Sequence, residues 1–210
     1  MNKVIDSLKY TYIYDLVFPI VQIMQTIKWY VKNKSSSPPH LVKQRIINYY
    51  ALKYSIKTFI ETGTYLGTMV NAHKNTFNKI YTIELDKSLY VSAKKKFAKF
   101  KHISVLFGDS ADVLPKLLRE IKQPALFWLD AHYSEGITTK GNLTTPITKE
   151  VKSILKHRVK KHIILIDDAS LFIGKNNYPT IKKLKTYTLK RYPQVSFKME
   201  NNIIQIIPTP

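Results

Sequence analysis

Apolar residues recur at helical spacing near the start of the chain: Ile5, Leu8, Tyr12, Leu16, Ile20, Ile23, Ile27 and Tyr30 share one face. This predicts an amphipathic helical appendage over 1–34, with Pro19 expected to kink it or open a second helix. The longest uncharged run, 16–27, holds 12 residues, short of the ~20 that a spanning helix needs. Two readings of the appendage stay open. Either it packs on the core or on a partner subunit, which would make a homodimer, or it lies at a membrane interface. Lys28, Trp29, Tyr30 and Lys32 at its end speak for the second. Residues 35–40, opening with three serines and two prolines, read as a linker.

Beyond the linker the pattern changes. A helix is expected over 41–54, with Ile46, Ile47 and Tyr50 on its buried side. Short apolar runs then mark strands at 58–60, 80–83, 103–107, 125–129 and 163–166. Helical patterns fall between them at 68–77, 88–100, 110–121 and 146–156. Strand and helix in alternation predict a parallel sheet covered on both faces. After a helix over 180–191 come two β-rich runs, 194–198 and 203–207, so close that they pair as an antiparallel hairpin. Residues 41–210 thus form one α/β domain with a mostly parallel sheet closed by a hairpin.

Composition narrows the setting. With 44% hydrophobic and 23% charged residues the chain is globular. Its 34 Lys and Arg against 14 Asp and Glu give a net charge of +20, which favours anionic partners or simply a solvated lysine-rich surface. Having no cysteine, the chain has no disulfide and no thiolate zinc site. Asp6 and Asp15 interrupt the start and no Ala-x-Ala site follows, which speaks against a signal peptide. A cytoplasmic protein, or one peripheral at the membrane surface, is the expectation.

The chemistry gathers at the ends of the expected strands. Ligands of such sheets bind outside the carboxyl ends of the strands. The first ends on Glu61, the second on Glu84, the third on Gly108-Asp109-Ser110, the fourth on Asp130-Ala131-His132 and the fifth on Asp167-Asp168. A single acid there is often a helix cap, but these ends hold six of the 14 acids. The first end reads Glu61-Thr62-Gly63-Thr64-Tyr65-Leu66-Gly67. Its two glycines suit a tight turn into a helix whose free N–H groups attract an anion. It is not the Gly-x-Gly-x-x-Gly of dinucleotide sites. Glu84 follows Glu61 by 23 residues, close to the interval at which an acid reaches ribose hydroxyls. Asp109 can accept from the exocyclic amine of adenine, with Ser110 beside it. Together these positions describe adenosine with an amino-acid tail.

These residues resemble class I S-adenosylmethionine-dependent methyltransferases. The resemblance covers about 41–210 and implies a Rossmann-like fold with a seven-stranded sheet ending in an antiparallel hairpin. It implies cofactor contacts from Glu61, Thr62, Gly63, Thr64, Gly67, Glu84, Asp109, Ser110 and Asp130. Within the family, Leu129-Asp130-Ala131-His132-Tyr133 followed by Ile166-Asp167-Asp168 is similar to metal-dependent sugar O-methyltransferases of the macrocin type. That similarity implies a magnesium or manganese ion on Asp130, Asp167 and Asp168. The stretch 133–141 departs from the macrolide enzymes and looks more like small bacterial methyltransferases that accompany polysaccharide genes.

The expected reaction is methyl transfer to a hydroxyl of a sugar, glycan or other small acceptor, which the basic surface would suit if the acceptor is anionic. His132 is the expected base, alongside Asp130, because its intrinsic pKa lies near neutrality. Residues 134–145 read as a lid carrying Lys140, or as an ordinary solvent loop. Asp167 and Asp168 have a plainer reading, the first as a cofactor or structural contact and the second as a helix cap. Lys149, Lys152, Lys156, Arg158, Lys160 and Lys161 either guide an acidic substrate or face water. Nucleic-acid (RNA) methylation is the rival enzyme class, weakened by the absence of an Asn-Pro-Pro-Tyr-like motif. A non-catalytic, cofactor-binding or membrane-attached scaffold is the third reading.

Overall fold

The computed structural model describes residues 12–32, 37–130 and 145–209, apart from the side chains of 12–19. The chain forms two compact units that divide between Ile46 and Ile47. The first holds α1 (Tyr12–Val31) and the start of α2 (His40–Lys53). α1 continues through Pro19 as one helix, so the proline does not open a second one.

The second unit is built on seven strands: β1 (Thr58–Thr62), β2 (Lys79–Glu84), β3 (Ile103–Phe107), β4 (Leu126–Leu129), β5 (Ile163–Ile166), β6 (Val195–Glu200) and β7 (Ile203–Pro208). Their order across the sheet is β3-β2-β1-β4-β5-β7-β6. β1 to β5 pair in parallel, and β7 runs antiparallel to both β5 and β6. Six strands therefore share one direction and β7 opposes them. The central strands β4 (LFWL) and β5 (IILI) are buried at every position, as parallel strands covered on both faces must be. Trp128, Phe59 and Phe127 are the largest side chains shut away from solvent.

Between the strands run α3 (Thr68–His73), α4 (Lys87–Phe97), α5 (Ser110–Leu118), α6 (Ile147–Lys156) and α7 (Ile181–Arg191). α6 shows how the pattern folds. Ile147, Val151, Ile154 and Leu155 form its buried stripe, while Lys149, Lys152 and Lys156 face water. Arg158, Lys160 and Lys161, just beyond, are also exposed. From α2, Tyr50 donates to Gln205 Oε1 of β7 at 2.6 Å and Tyr54 to the Pro208 carbonyl at 3.3 Å. The β6–β7 turn is Asn201-Asn202, with φ of 53° and 55°, the left-handed pair that a two-residue hairpin turn requires. α3 is shorter than its sequence suggests. It stops at His73, where Thr76 N–H donates to the His73 carbonyl and turns the chain toward β2. A one-turn 3-10 helix, Ala169–Leu171, was not legible in the pattern.

Candidate functional site

The acids come to one edge because the backbone ladder runs one rung past each strand. Gly63 N–H donates to the Ile83 carbonyl (3.0 Å), Gly108 N–H to Glu84 (2.9 Å), Asp130 N–H to Thr62 (3.1 Å) and Asp167 N–H to Leu129 (3.1 Å). Each strand end is thereby pinned to its neighbour. The turn after β1 takes positive φ at Gly63 (87°), Tyr65 (50°) and Gly67 (67°). At Gly67 a Cβ would stand 2.7 Å from the Phe97 ring, so glycine is required there on two counts.

Glu61 is buried in this turn. Thr82 Oγ1 donates to its Oε2 at 2.5 Å, and Thr64 Oγ1 lies 2.6 Å from Thr82 Oγ1. With the Thr82 proton committed to Glu61, Thr64 donates to Thr82. Burial pushes the Glu61 carboxyl up to about 8; the Thr82 hydroxyl opposes this, while the charges of Asp130 and Glu84 add to it. Glu84 is also buried, and burial raises it as well. Its two oxygens are held apart: Oε2 accepts from Tyr65 N–H at 2.8 Å and Oε1 from Asp86 N–H at 2.9 Å. A carboxylate fixed in this way keeps lone pairs for a pair of vicinal hydroxyls.

Asp109 caps α5, its Oδ1 accepting from Ala111 N–H at 2.8 Å. The capping role and the adenine role proposed from sequence use different lone pairs. Across the edge, Asp130, Asp167 and Asp168 bring carboxylate oxygens within 4.8 Å of one another. Asp167 is buried, and its Oδ1 accepts from Asp168 N–H at 2.9 Å. Asp168 sits at φ 50° before the 3-10 helix and makes no side-chain cap. Its Oδ1 instead accepts from Asn202 Nδ2 at 3.2 Å. Asn202 also accepts at its Oδ1 from Ser170 N–H and at its carbonyl from Ala169 N–H, both at 2.8 Å. The hairpin turn thus braces the end of β5. Three hard oxygen donors at this spacing fit Mg²⁺ or Mn²⁺. His132, Lys140 and the rest of the expected lid up to 144 lie outside the described residues.

Two site residues escaped the sequence reading. Glu150, on α6, is 1% exposed, and among the described residues neither of its oxygens has a hydrogen-bond partner in direct reach; the same is true of Thr62 Oγ1 and Ser110 Oγ. Burial pushes Glu150 up to about 7. The nearby Ser110 and Thr62 hydroxyls oppose the rise, and Asp109 and Asp130 add to it. A signal was present: Glu150 is an acid on the apolar stripe of its helix. Tyr178 is buried near the same edge. Burial pushes it to about 12 against the pull of Thr145, with Asp168, Asp130 and Glu150 contributing to the rise. No sequence pattern marked it.

The geometry is that of the class I methyltransferase fold, and structural comparison agrees. The chain is similar to the O-methyltransferase TomG of Streptomyces achromogenes, which acts in tomaymycin synthesis and was solved with S-adenosylmethionine (TM-score 0.59, 14% identity, 90% of this chain and 89% of that one). It is similar to an O-methyltransferase of Bacillus cereus in complex with S-adenosylhomocysteine (TM-score 0.58, 12% identity, 97% and 99%). The 23S rRNA methyltransferase ErmE also matches (TM-score 0.51, 14% identity, 78% and 67%). No protein-family model matches the sequence, and none of the curated proteins does.

Proposed function

We propose that the protein is an S-adenosylmethionine-dependent O-methyltransferase acting on a hydroxyl of a sugar, glycan or other small acceptor. The observation that carries this reading is the row of acids at one sheet edge, with Glu84 buried and oriented by two backbone N–H groups. In this reading Glu84 holds the ribose hydroxyls and the turn 61–67 receives the amino-acid tail. Glu61 tunes that turn through Thr82, and Asp109 and Ser110 flank the base. The cofactor supplies an already electrophilic methyl group, so the protein's task is alignment and removal of the acceptor proton. His132, two residues past Asp130, is placed by sequence to take that proton, with Asp130 beside it. Asp130, Asp167 and Asp168 would hold a divalent ion, which when bound lowers the pKa of a coordinated hydroxyl.

RNA methylation is the second reading, favoured by the +20 charge and the likeness to an rRNA methyltransferase. The candidate site opposes it. Its edge carries Glu84, Asp109, Asp130, Asp167 and Asp168, which would repel a phosphodiester backbone.

Calorimetric titration of S-adenosylmethionine and S-adenosylhomocysteine, with and without Mg²⁺, tests the proposal. Micromolar binding is expected, weakened about tenfold or more in Glu84→Ala through loss of charge-assisted hydrogen bonds. Absence of binding in either metal condition would sink the methyltransferase reading. Binding that Glu84→Ala leaves unchanged would remove Glu84 from the cofactor site.

A further inference from the structure

α1 is amphipathic the wrong way round for a helix of a water-soluble surface. Gln22, Thr26 and Trp29 are buried, and the Thr26 hydroxyl donates to the Gln22 carbonyl at 2.7 Å. On the opposite side Ile20, Ile23, Met24, Ile27 and Val31 are each more than half exposed. At 100° per residue these five fall within one stripe, and Lys28 and Lys32 stand on its shoulder. Beside the same shoulder is a cleft of about 290 Å³ lined by Gln25, Lys28, Trp29 and Lys32, with Ser37 and Pro39 closing it.

We propose that this face of α1 is a docking surface for an anionic phospholipid bilayer. The aliphatic stripe enters the acyl boundary, the lysines reach out to headgroup level, and the cleft receives a headgroup phosphate. Among the described residues no helix is long and apolar enough to cross a membrane, so α1 lies in the plane of the interface. Charge selects this occupant over a second copy of the chain. From Leu16 to Ile60 the sequence holds seven Lys and Arg and no acid. Two copies meeting here would set cation against cation, whereas an anionic surface is complementary. Scattered exposed apolar residues need no explanation, but five on one stripe do. The inference goes beyond the proposed activity and stands or falls separately from it.

Sedimentation of the full chain with vesicles tests it, using phosphatidylcholine alone or mixed with phosphatidylglycerol. The wild type should bind the mixed vesicles, less so in high salt. Ile23→Asp with Ile27→Asp should weaken binding roughly tenfold or more through loss of apolar burial. Lys28→Glu with Lys32→Glu should abolish the preference for phosphatidylglycerol. All four side chains are exposed, so both variants should melt with the wild type, and a melting check confirms that the fold is kept. Two results would overturn the proposal. One is unchanged vesicle binding by the Ile23/Ile27 variant, which would leave net charge as the sole cause. The other is a wild type that ignores the mixed vesicles, whether it stays monomeric or forms a dimer that the same variant splits.

Discussion

Glu61 and Glu150 are acids that the fold keeps from ionising at the pH where carboxylates normally do. Both are buried, and their pKa values are pushed to about 8 and about 7 from 4.5. The folded chain therefore holds protons that the unfolded chain releases. That contribution to stability is fully present below about 4.5 and is lost as pH rises through about 7 for Glu150 and 8 for Glu61. Replacing Glu150 by Gln should remove its share of the slope, roughly 3 kcal/mol at most. Urea unfolding followed across this range checks it: the variant's midpoint should fall less steeply than the wild type's. Parallel slopes would mean that Glu150 ionises freely in the folded protein. Sequence revealed Glu61, because it ends a strand, and left Glu150 unnoticed. An acid on an apolar stripe becomes informative only once the Ser110 and Thr62 hydroxyls and the charges of Asp109 and Asp130 are seen to act on it.

At the level of elements, the turn between β1 and α3 is the most constrained piece. Gly67→Ala would put a Cβ into left-handed backbone and against the Phe97 ring, costing about 2–3 kcal/mol in urea unfolding. Adding Phe97→Leu should recover the steric part and leave the backbone part, so a double variant as stable as the wild type would contradict this account. The ends of β4 and β5 supply a separate test. Mg²⁺ should raise the melting temperature of the wild type and not that of Asp167→Asn, since a ligand that binds only the folded state stabilises it. Equal shifts in both would dismiss the acid trio as a metal site. Strands were legible because short apolar runs between helical patterns have few alternatives. The end of α3 was not, because it is set by the His73–Thr76 turn rather than by any stop residue.

For the whole molecule, alternation of strand and helix was enough to foresee a parallel sheet, and the two late β-runs foretold a hairpin. Strand order was beyond local pattern. Nothing in Ile203–Pro208 itself says that it will pair with β5 on one side and β6 on the other; that follows from long-range packing, including the Tyr50–Gln205 bond. The placement of β7 has a consequence for how the protein is made. As the chain leaves the ribosome, β1 to β5 can assemble early, but β6 emerges with no strand to join, because its partner is the segment still to come. Until β7 arrives, the flank of β5 is an open template of unpaired backbone groups, able to capture a neighbouring nascent chain. The exposure to misassembly is therefore concentrated in the interval between the emergence of β5 and that of β7, and it ends when a single strand slides between two others.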